Sequence, residues 1–401
     1  MASGAIKITV SLHPHWGHDS LLEALARARS ENTLPAALLI HGPQGVGKQH
    51  LALWLARMLL CEAPGPAGPC ETCHACFLAG KLEHPDLHWY FPLPRPKNAS
   101  TPEKLARALE EARAEVLAEI RANPLRPAGD EGPKALYLAA ARNLRGKAHR
   151  RPSMGPRQVF IIAQAEALAP QASSSEAANA LLKVLEEPPE GTTLILTSAE
   201  PGRLLPTIRS RTTKVHLPPL TQGEVAGFLV AHAGMDDAEA RAAAGFSRGA
   251  IGRALGFRRE GEEPGPLEQT RLQALGLLAA ALAPNPERRI KAALDFRSTG
   301  ARGLRDLFNF LEECLGELAR SASGVPLDGG SPKEAQFLQN AVSRLEIHPS
   351  SVPGAMERVD RARAMAAGNV NPQLLIFGLL HDLRDELAGA GSTQKERSRH
   401  G

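Results

Sequence analysis

Apolar and polar positions follow two different rhythms along this chain, and the change comes near residue 220. Before it, short apolar runs alternate with segments of helical spacing. The run that opens Ala36 to Leu60, the run Val159-Phe160-Ile161-Ile162 and the run Thr193 to Thr197 predict buried strands. Between them, His18 to Ser30 places Leu21, Leu22 and Leu25 on one helical face. The helix after Lys48 turns Leu51, Trp54, Leu55, Met58 and Leu59 inward, and a later one carries Leu181, Leu182 and Leu185 until Pro188-Pro189 stops it. Strands and helices taking turns predict a parallel sheet covered on both faces.

One segment breaks the alternation. Asp86 to Pro133 reads as an insert, extended through the proline-rich FPLPRPKN and then helical, with Thr101-Pro102 as cap and first turn and Leu105, Leu109, Val116 and Ile120 on one face. Beyond residue 220 the rhythm is helical throughout. Thr221 and Glu224 form a capping box ahead of Val225, Phe228 and Leu229. Glu260 to Pro266 (EGEEPGP) reads as a linker. After it, Leu304, Leu307, Phe308, Leu311, Leu315 and Leu318 make one apolar face, with Cys314 beside it as a small core residue, and Leu374, Leu375, Leu379, Leu380 and Leu383 make another. Gly389 to Gly401 reads as a polar, disordered tail.

Composition narrows the choices. A chain of 401 residues, 43% hydrophobic and 22% charged, is an ordinary soluble protein of two or three domains. The formal charge is only +4, so any phosphate binding has to come from local clusters. An aromatic share of 4% argues against a single-strand binder built on stacking platforms. The N-terminus has no apolar signal core and the longest apolar run, near Ala274 to Pro284, is too short for a bilayer, so the expectation is a cytoplasmic protein with no membrane partner.

The first candidate site is Gly42-Pro43-Gln44-Gly45-Val46-Gly47-Lys48, which stands between a strand and a helix as a phosphate-binding loop does. Gly42, Gly45 and Gly47 let backbone N–H groups turn toward a phosphate, the helix start adds its dipole, and Lys48 adds a positive charge. The small hydroxyl that ligates magnesium in such loops is replaced by Gln49, a poor substitute in a tight octahedral shell. The strand Val159 to Ile162 ends in Ala163 and Gln164, where a working ATPase carries acids for the metal and the attacking water, and Glu166 lies further on, inside the following turn. Two separate losses point to a loop that has given up hydrolysis, and they put ATP and magnesium binding in doubt.

The second candidate is Cys61, Cys70, Cys73 and Cys76, crowded into one short stretch. Thiolates at this spacing can close a tetrahedral zinc site in a reducing compartment, with the Pro/Gly run as the arm that brings Cys61 in; an iron-sulfur cluster is the alternative metal group. No ligand position is open, so the site is structural, and His74 and His84 stand outside it. The third candidate is a basic stretch, Arg142, Arg145, Lys147, Arg150 and Arg151, either a set of DNA phosphate contacts or a solvated face.

Taken together, the loop Gly42 to Lys48, the four cysteines, His84-Pro85-Asp86, Asn179 to Lys183 with Leu185-Glu186-Glu187-Pro188-Pro189, and Leu205 to Ile208 with Ser210-Arg211 resemble the clamp-loader ATPase subunits of bacterial DNA polymerase III. The resemblance covers most of Pro35 to Leu217. It implies an AAA+-like parallel-sheet domain over 1–220, with a zinc module at 61–76 and an insert around 87–133, a small helical lid over 221–259, and an all-α collar through which subunits form a ring over 267–388, before the tail 389–401. Degraded ATPase positions beside an intact Ser210-Arg211 resemble the delta-prime branch rather than the gamma/tau motor branch. The resemblance implies that Arg211 acts in trans as an arginine finger on a neighbouring subunit's nucleotide, a task that suits a planar, permanently charged fork of donors. Thr212 stands where the family usually has cysteine. Aligned on its glycines, Gly245 to Leu255 resembles the lid segment that carries a phosphate-sensing arginine in active members, but Gly252 falls at that position, with Arg253 one residue, or about 100 degrees, further round the helix.

The implied function is a subunit of the DNA-directed DNA polymerase holoenzyme, a nucleotidyltransferase, that supports ATP-dependent loading of the sliding clamp onto primed DNA beside gamma/tau and delta partners. Two other readings stay open: an active gamma/tau-type ATPase, separable by its own ATP turnover, and a zinc-dependent DNA-binding module, separable by salt-dependent DNA binding of residues 61–160.

Overall fold

The computed structural model describes residues 15–96, 99, 101–125, 134–168, 176–259, 261–297, 300–325, 332–366, 368 and 370–397. The chain divides into two compact units, Met1–Leu255 and Gly256–Gly401.

The first unit holds strands β1 (Ala37–His41), β2 (Leu87–Tyr90), β3 (Leu93–Pro94), β4 (Lys134–Ala135), β5 (Gln158–Ile162), β6 (Thr192–Ser198) and β7 (Thr213–His216). Five of them form a parallel sheet in the order β2-β5-β6-β1-β7, while β3 and β4 make a small antiparallel pair. In β1, Ile40 lies opposite Thr197 of β6 on one side and Val215 of β7 on the other. The loop that leaves β1 therefore emerges at the carboxyl end of the sheet between two neighbours, where ligands bind in open α/β sheets.

Alternate residues of the strands feed two cores. Leu38, Ile40, Val159, Ile161 and Ile195 pack with α1 (Asp19–Ser30) and α2 (Lys48–Leu60), whereas Leu39, Phe160, Ile162, Leu194 and Leu196 pack with α5 (Leu138–Ala148) and α6 (Glu176–Glu186). Both faces are covered, which is why the strands read as unbroken apolar runs. α2 is buried from Leu51 to Leu59 on every side rather than on one face. The reason is that the cysteine segment closes over its outer side: the Trp54 ring lies against Gly68, and Arg57 reaches Glu71 at 3.4 Å.

The segment expected as an insert from residue 87 opens inside the sheet. Leu87–Tyr90 is the edge strand β2, paired with β5 from Leu87↔Val159 to Tyr90↔Ile162. Its sequence, Leu-His-Trp-Tyr, mixes polar and aromatic residues and ends two residues before a proline-rich run, so no apolar run marks it. Past β3, α4 (Pro102–Ala122) follows with Thr101 as its cap, the Thr101 hydroxyl accepting from the N–H of Lys104. Residues 126–133 of the insert lie outside the described residues.

The unit continues through α7 (Pro206–Arg209) into three further helices, α8 (Gln222–Ala233), α9 (Asp237–Ser247) and α10 (Ile251–Ala254). The Thr221/Glu224 capping box is formed in both directions. A short N-terminal strap ties α8 down: Trp16 Nε1 donates to Glu224 O at 2.9 Å, its ring meets Phe228 and His232 edge-on at 5.8 and 5.2 Å, and His18 Nε2 lies 2.8 Å from Pro218 O.

The second unit is helical: α11 (Pro266–Ala281), α12 (Pro286–Asp295), α13 (Gly300–Ala322), α14 (Pro332–Leu345), α15 (Val352–Ala366) and α16 (Pro372–Arg397). The α13 face from Leu304 to Leu318 is buried, and Cys314 on that helix has its thiol pushed up to about 12 by burial. Of the α16 face, Leu375, Leu379, Leu380 and Leu383 are buried, but Leu374 is 69% exposed and Ile376 takes its place in the core. Leu374 and Ile376 stand about 200 degrees apart around the helix, so only one of them can face inward. α16 also runs on to Arg397, through most of the stretch expected as a disordered tail from Gly389. No proline interrupts it, and its last residues, Gln394, Lys395, Glu396 and Arg397, are good helix formers. Residues 398–401 lie outside the described residues, as do Glu260 of the linker and Asn369 before α16. Among the described residues no helix is long and apolar enough to cross a membrane.

Candidate functional site

The phosphate-loop motif forms the connection its spacing predicts, strand β1 to helix α2, with Gly45 at φ 80° and Gly47 at φ 103°. Gly42 is required by crowding, since a Cβ there would lie 2.1 Å from the Leu217 carbonyl oxygen. Lys48 is 9% exposed and turns back on its own loop, its Nζ donating to Gly42 O at 2.8 Å and Pro43 O at 2.6 Å. Burial pulls its ammonium down to about 8, against the opposing field of the Glu166 carboxylate. Gln49 sits half-buried in the first turn of α2.

The carboxyl end of β5 carries Ala163 and Gln164, as the sequence has them. Ala163 is fully buried, its N–H donating to Tyr90 O at 2.8 Å, and Gln164 turns outward with φ 50°. Glu166 stands in the short 3-10 turn Ala165–Leu168, the turn after β5 in which the sequence places it. Its Oε1 accepts from the N–H of Ala199 at 3.1 Å, while Oε2 is buried without a hydrogen-bond partner.

The segment Gly245 to Leu255 touches the loop through backbone. Gly252 N–H donates to Gly45 O at 2.9 Å, and a Cβ at Gly252 would stand 3.1 Å from that oxygen and 3.2 Å from Gly45 Cα. Gly252 is thus held in backbone-to-backbone contact with the loop. Arg253 points away, its Nε donating to Phe246 O at 3.0 Å. Beside the strap, the His15 ring has both nitrogens buried without a partner; burial, with help from His18 and His50, pulls it down to about 3.

Arg211 lies past the end of α7 with its side chain 34% exposed. The next residue, Thr212, is buried and anchors the backbone by donating its hydroxyl to Ile208 O at 3.1 Å. Arg211 Nη1 donates to Thr207 O at 3.0 Å, and Nη2 pairs with Glu186 Oε1 at 2.5 Å. Arg211 is not part of the Lys48 loop.

Cys61, Cys70, Cys73 and Cys76 converge, with their sulfurs all within 4.8 Å of one another. The Cys61–Cys73 separation of 3.9 Å matches the edge of about 3.8 Å that sulfurs make around a tetrahedral ion. Backbone N–H groups point at three of the sulfurs: Cys70 N at Cys61 Sγ (3.3 Å), Cys73 N at Cys70 Sγ and Cys76 N at Cys73 Sγ (3.4 Å each). Such donors favour thiolate. At Cys70 the N–H groups of Thr72 and Cys73 hold the thiol down to about 6, whereas burial pushes Cys61 and Cys76 upward. The four thiols can therefore hold a metal ion. His74 and His84 are not in this cluster; His84 Nδ1 accepts instead from the N–H of Asp86 at 3.1 Å.

The basic stretch is spread over the end of α5 and the loop after it. Arg145, Arg150 and Arg151 are exposed, while Lys147 is drawn to Glu110 of α4 at 3.7 Å. The following turn is pinned by Asp86, whose carboxylate accepts from Ser153 N–H at 2.6 Å and Met154 N–H at 2.8 Å.

Comparison with known proteins follows the same residues. The family described as DNA polymerase III, delta subunit, matches residues 17–221, which include the loop, the four cysteines and Arg211. This chain belongs to that family. Among curated relatives, the DNA polymerase III subunit delta' of Pseudomonas aeruginosa is 36% identical over 175 residues, 44% of this chain and 40% of that protein. The delta' subunit of Escherichia coli is 29% identical over 219 residues, 55% of this chain and 53% of its own, and the tau subunit of that organism is 30% identical over 201 residues, 50% of this chain and 24% of its own. The chain spans about half the length, or less, of the curated relatives it matches. Among solved structures, a gamma-subunit-related protein of Thermotoga maritima aligns over 91% of this chain and 99% of its own with 16% identity and a TM-score of 0.37.

Within this DNA polymerase III delta-subunit family member, the matched region ends at the start of α8. The loop residues gather at the carboxyl end of β1, but Arg211 and the cysteines stand apart from them as separate features. Glu186, which was visible only as part of a family motif, turns out to be the carboxylate that meets Arg211.

Proposed function

We propose that this chain is the delta-prime-type subunit of a DNA polymerase III clamp loader. In this reading it does not hydrolyse ATP; it helps gamma/tau and delta subunits load the sliding clamp onto primed DNA, and it supplies Arg211 in trans to a neighbour's nucleotide. The observation that carries the reading is the end of β5, where the buried methyl of Ala163 and the exposed side chain of Gln164 stand at the two positions that carry acids in a working ATPase of the resembled kind. Gln49 and the Gly252–Gly45 contact point the same way. Arg211, by contrast, keeps an anchored backbone and a partly exposed guanidinium, which is what a finger reaching another subunit needs.

In the same reading the four cysteines hold a structural zinc ion that fastens the segment 61–76 over α2, and Arg145, Arg150 and Arg151, with Lys147, are contacts for DNA phosphates. A second reading, an active ATPase, draws on one observation, the Glu166 carboxylate, whose Oε2 is buried without a hydrogen-bond partner and whose field opposes the burial shift of Lys48. The test uses the reconstituted clamp loader. Arg211→Ala should lower its DNA-stimulated ATPase by about tenfold or more, with this chain folded and assembled as before. An unchanged rate would remove the finger assignment.

A further inference from the structure

The guanidinium of Arg211 is held before any neighbour reaches it. Nη2 lies against Glu186 Oε1 at 2.5 Å, and Nη1 faces Thr207 O at 3.0 Å and Ser210 Oγ at 3.4 Å. These partners come from two stiff supports. Glu186 is the last residue of α6, which Pro188 and Pro189 prevent from continuing; α7, which carries Thr207, is opened by Pro206. The buried Thr212 hydroxyl fixes the chain on the far side.

Stability does not account for the ion pair. With side chains 34% and 44% exposed, it is screened by water and adds little to folding. Its effect is geometric. An arginine side chain has many rotamers, and a contact that selects one beforehand spares that entropy when the side chain meets its anion. Guanidinium has more N–H donors than these contacts use, so donors remain for phosphate oxygens.

We propose that Glu186 is a positioning residue for Arg211, holding its fork in the orientation in which it meets the phosphates of the neighbouring subunit's nucleotide; this rests on Arg211 being the trans-acting finger. The test measures DNA-stimulated ATP hydrolysis by the complete reconstituted clamp loader, with assembly of each variant checked by gel filtration. Glu186→Ala should lower kcat about fivefold with KM within about twofold of the parent, because orientation in the transition state is lost rather than ground-state binding. Glu186→Gln keeps an acceptor oxygen and should recover at least half of that loss. In an Arg211→Ala background Glu186→Ala should change nothing further, since the carboxylate acts only through the arginine. Should Arg211→Ala lower kcat while Glu186→Ala leaves it unchanged or raises it, the finger stands and the positioning role falls. If Arg211→Ala itself has no effect, both fall together.

Discussion

Gln49, Ala163 and Arg211 are single side chains that carry most of the functional argument, and each is readable because chemistry tolerates so little variation at its position. A magnesium ion needs a small oxygen ligand beside the last loop residue, and a long amide does not replace it. Cysteine pattern is equally legible: the spacing of Cys61, Cys70, Cys73 and Cys76 was enough to pick out four thiols that the fold brings together as a set able to hold a metal ion. Replacing Cys73 by Ser should therefore remove about one equivalent of zinc per chain and destabilise the first unit, with metal analysis and thermal melting as the readouts. Metal analysis that finds no zinc in the parent protein would overturn that assignment. The role of Glu186 was not legible. It gains its meaning from a partner in space, Arg211, and sequence separation does not encode that.

At the scale of elements, the apolar runs located β1, β5 and β6 because these strands are buried on both faces, while β2 escaped because an edge strand of His, Trp and Tyr has no such run. The exposed Leu374 makes the complementary point: a cluster of leucines does not say which of them faces the core when the helix phase is set by packing partners. The short helix α10 shows what an element can do with almost no side chain. Its Gly252 N–H closes on Gly45 O, and the 3.1 Å clearance leaves little space for a methyl. Gly252→Ala should loosen this contact by about 1–3 kcal/mol, read as exchange of the Gly252 amide that is about tenfold faster or more by hydrogen–deuterium exchange. Unaltered protection across residues 249–255 would mean that α10 is not seated on the loop through this bond.

For the molecule as a whole, the first unit carries buried histidines that should make its stability sensitive to acid. Burial pulls His15 to about 3, with His18 and His50 adding to the shift, and His88 to about 4, with Lys147 and Arg113 adding and Asp86 and Glu110 opposing. Both folded-state values lie below the ordinary histidine value of 6.5, so the unfolded chain takes up protons first. Their contribution is complete above pH 6.5 and is lost as pH falls toward 3–4, with a slope of up to roughly 1.4 kcal/mol per pH unit for each histidine. Denaturant midpoints of the full chain measured from pH 7.5 to 4.5 should fall steadily, and His15→Leu should flatten the lower part of that curve.

In the proposed function these scales meet in one contrast, a nucleotide loop without the groups that break a triphosphate and an arginine offered to a neighbouring subunit. The direct test is ATP turnover by the purified chain alone, set beside turnover by the reconstituted clamp loader with and without Arg211. The isolated chain should show no turnover above background, with or without primed DNA, and the rate of the complex should depend on Arg211. An isolated chain that hydrolyses ATP at about one per second when primed DNA is added, and loses that rate on Glu166→Gln, would contradict the proposed function.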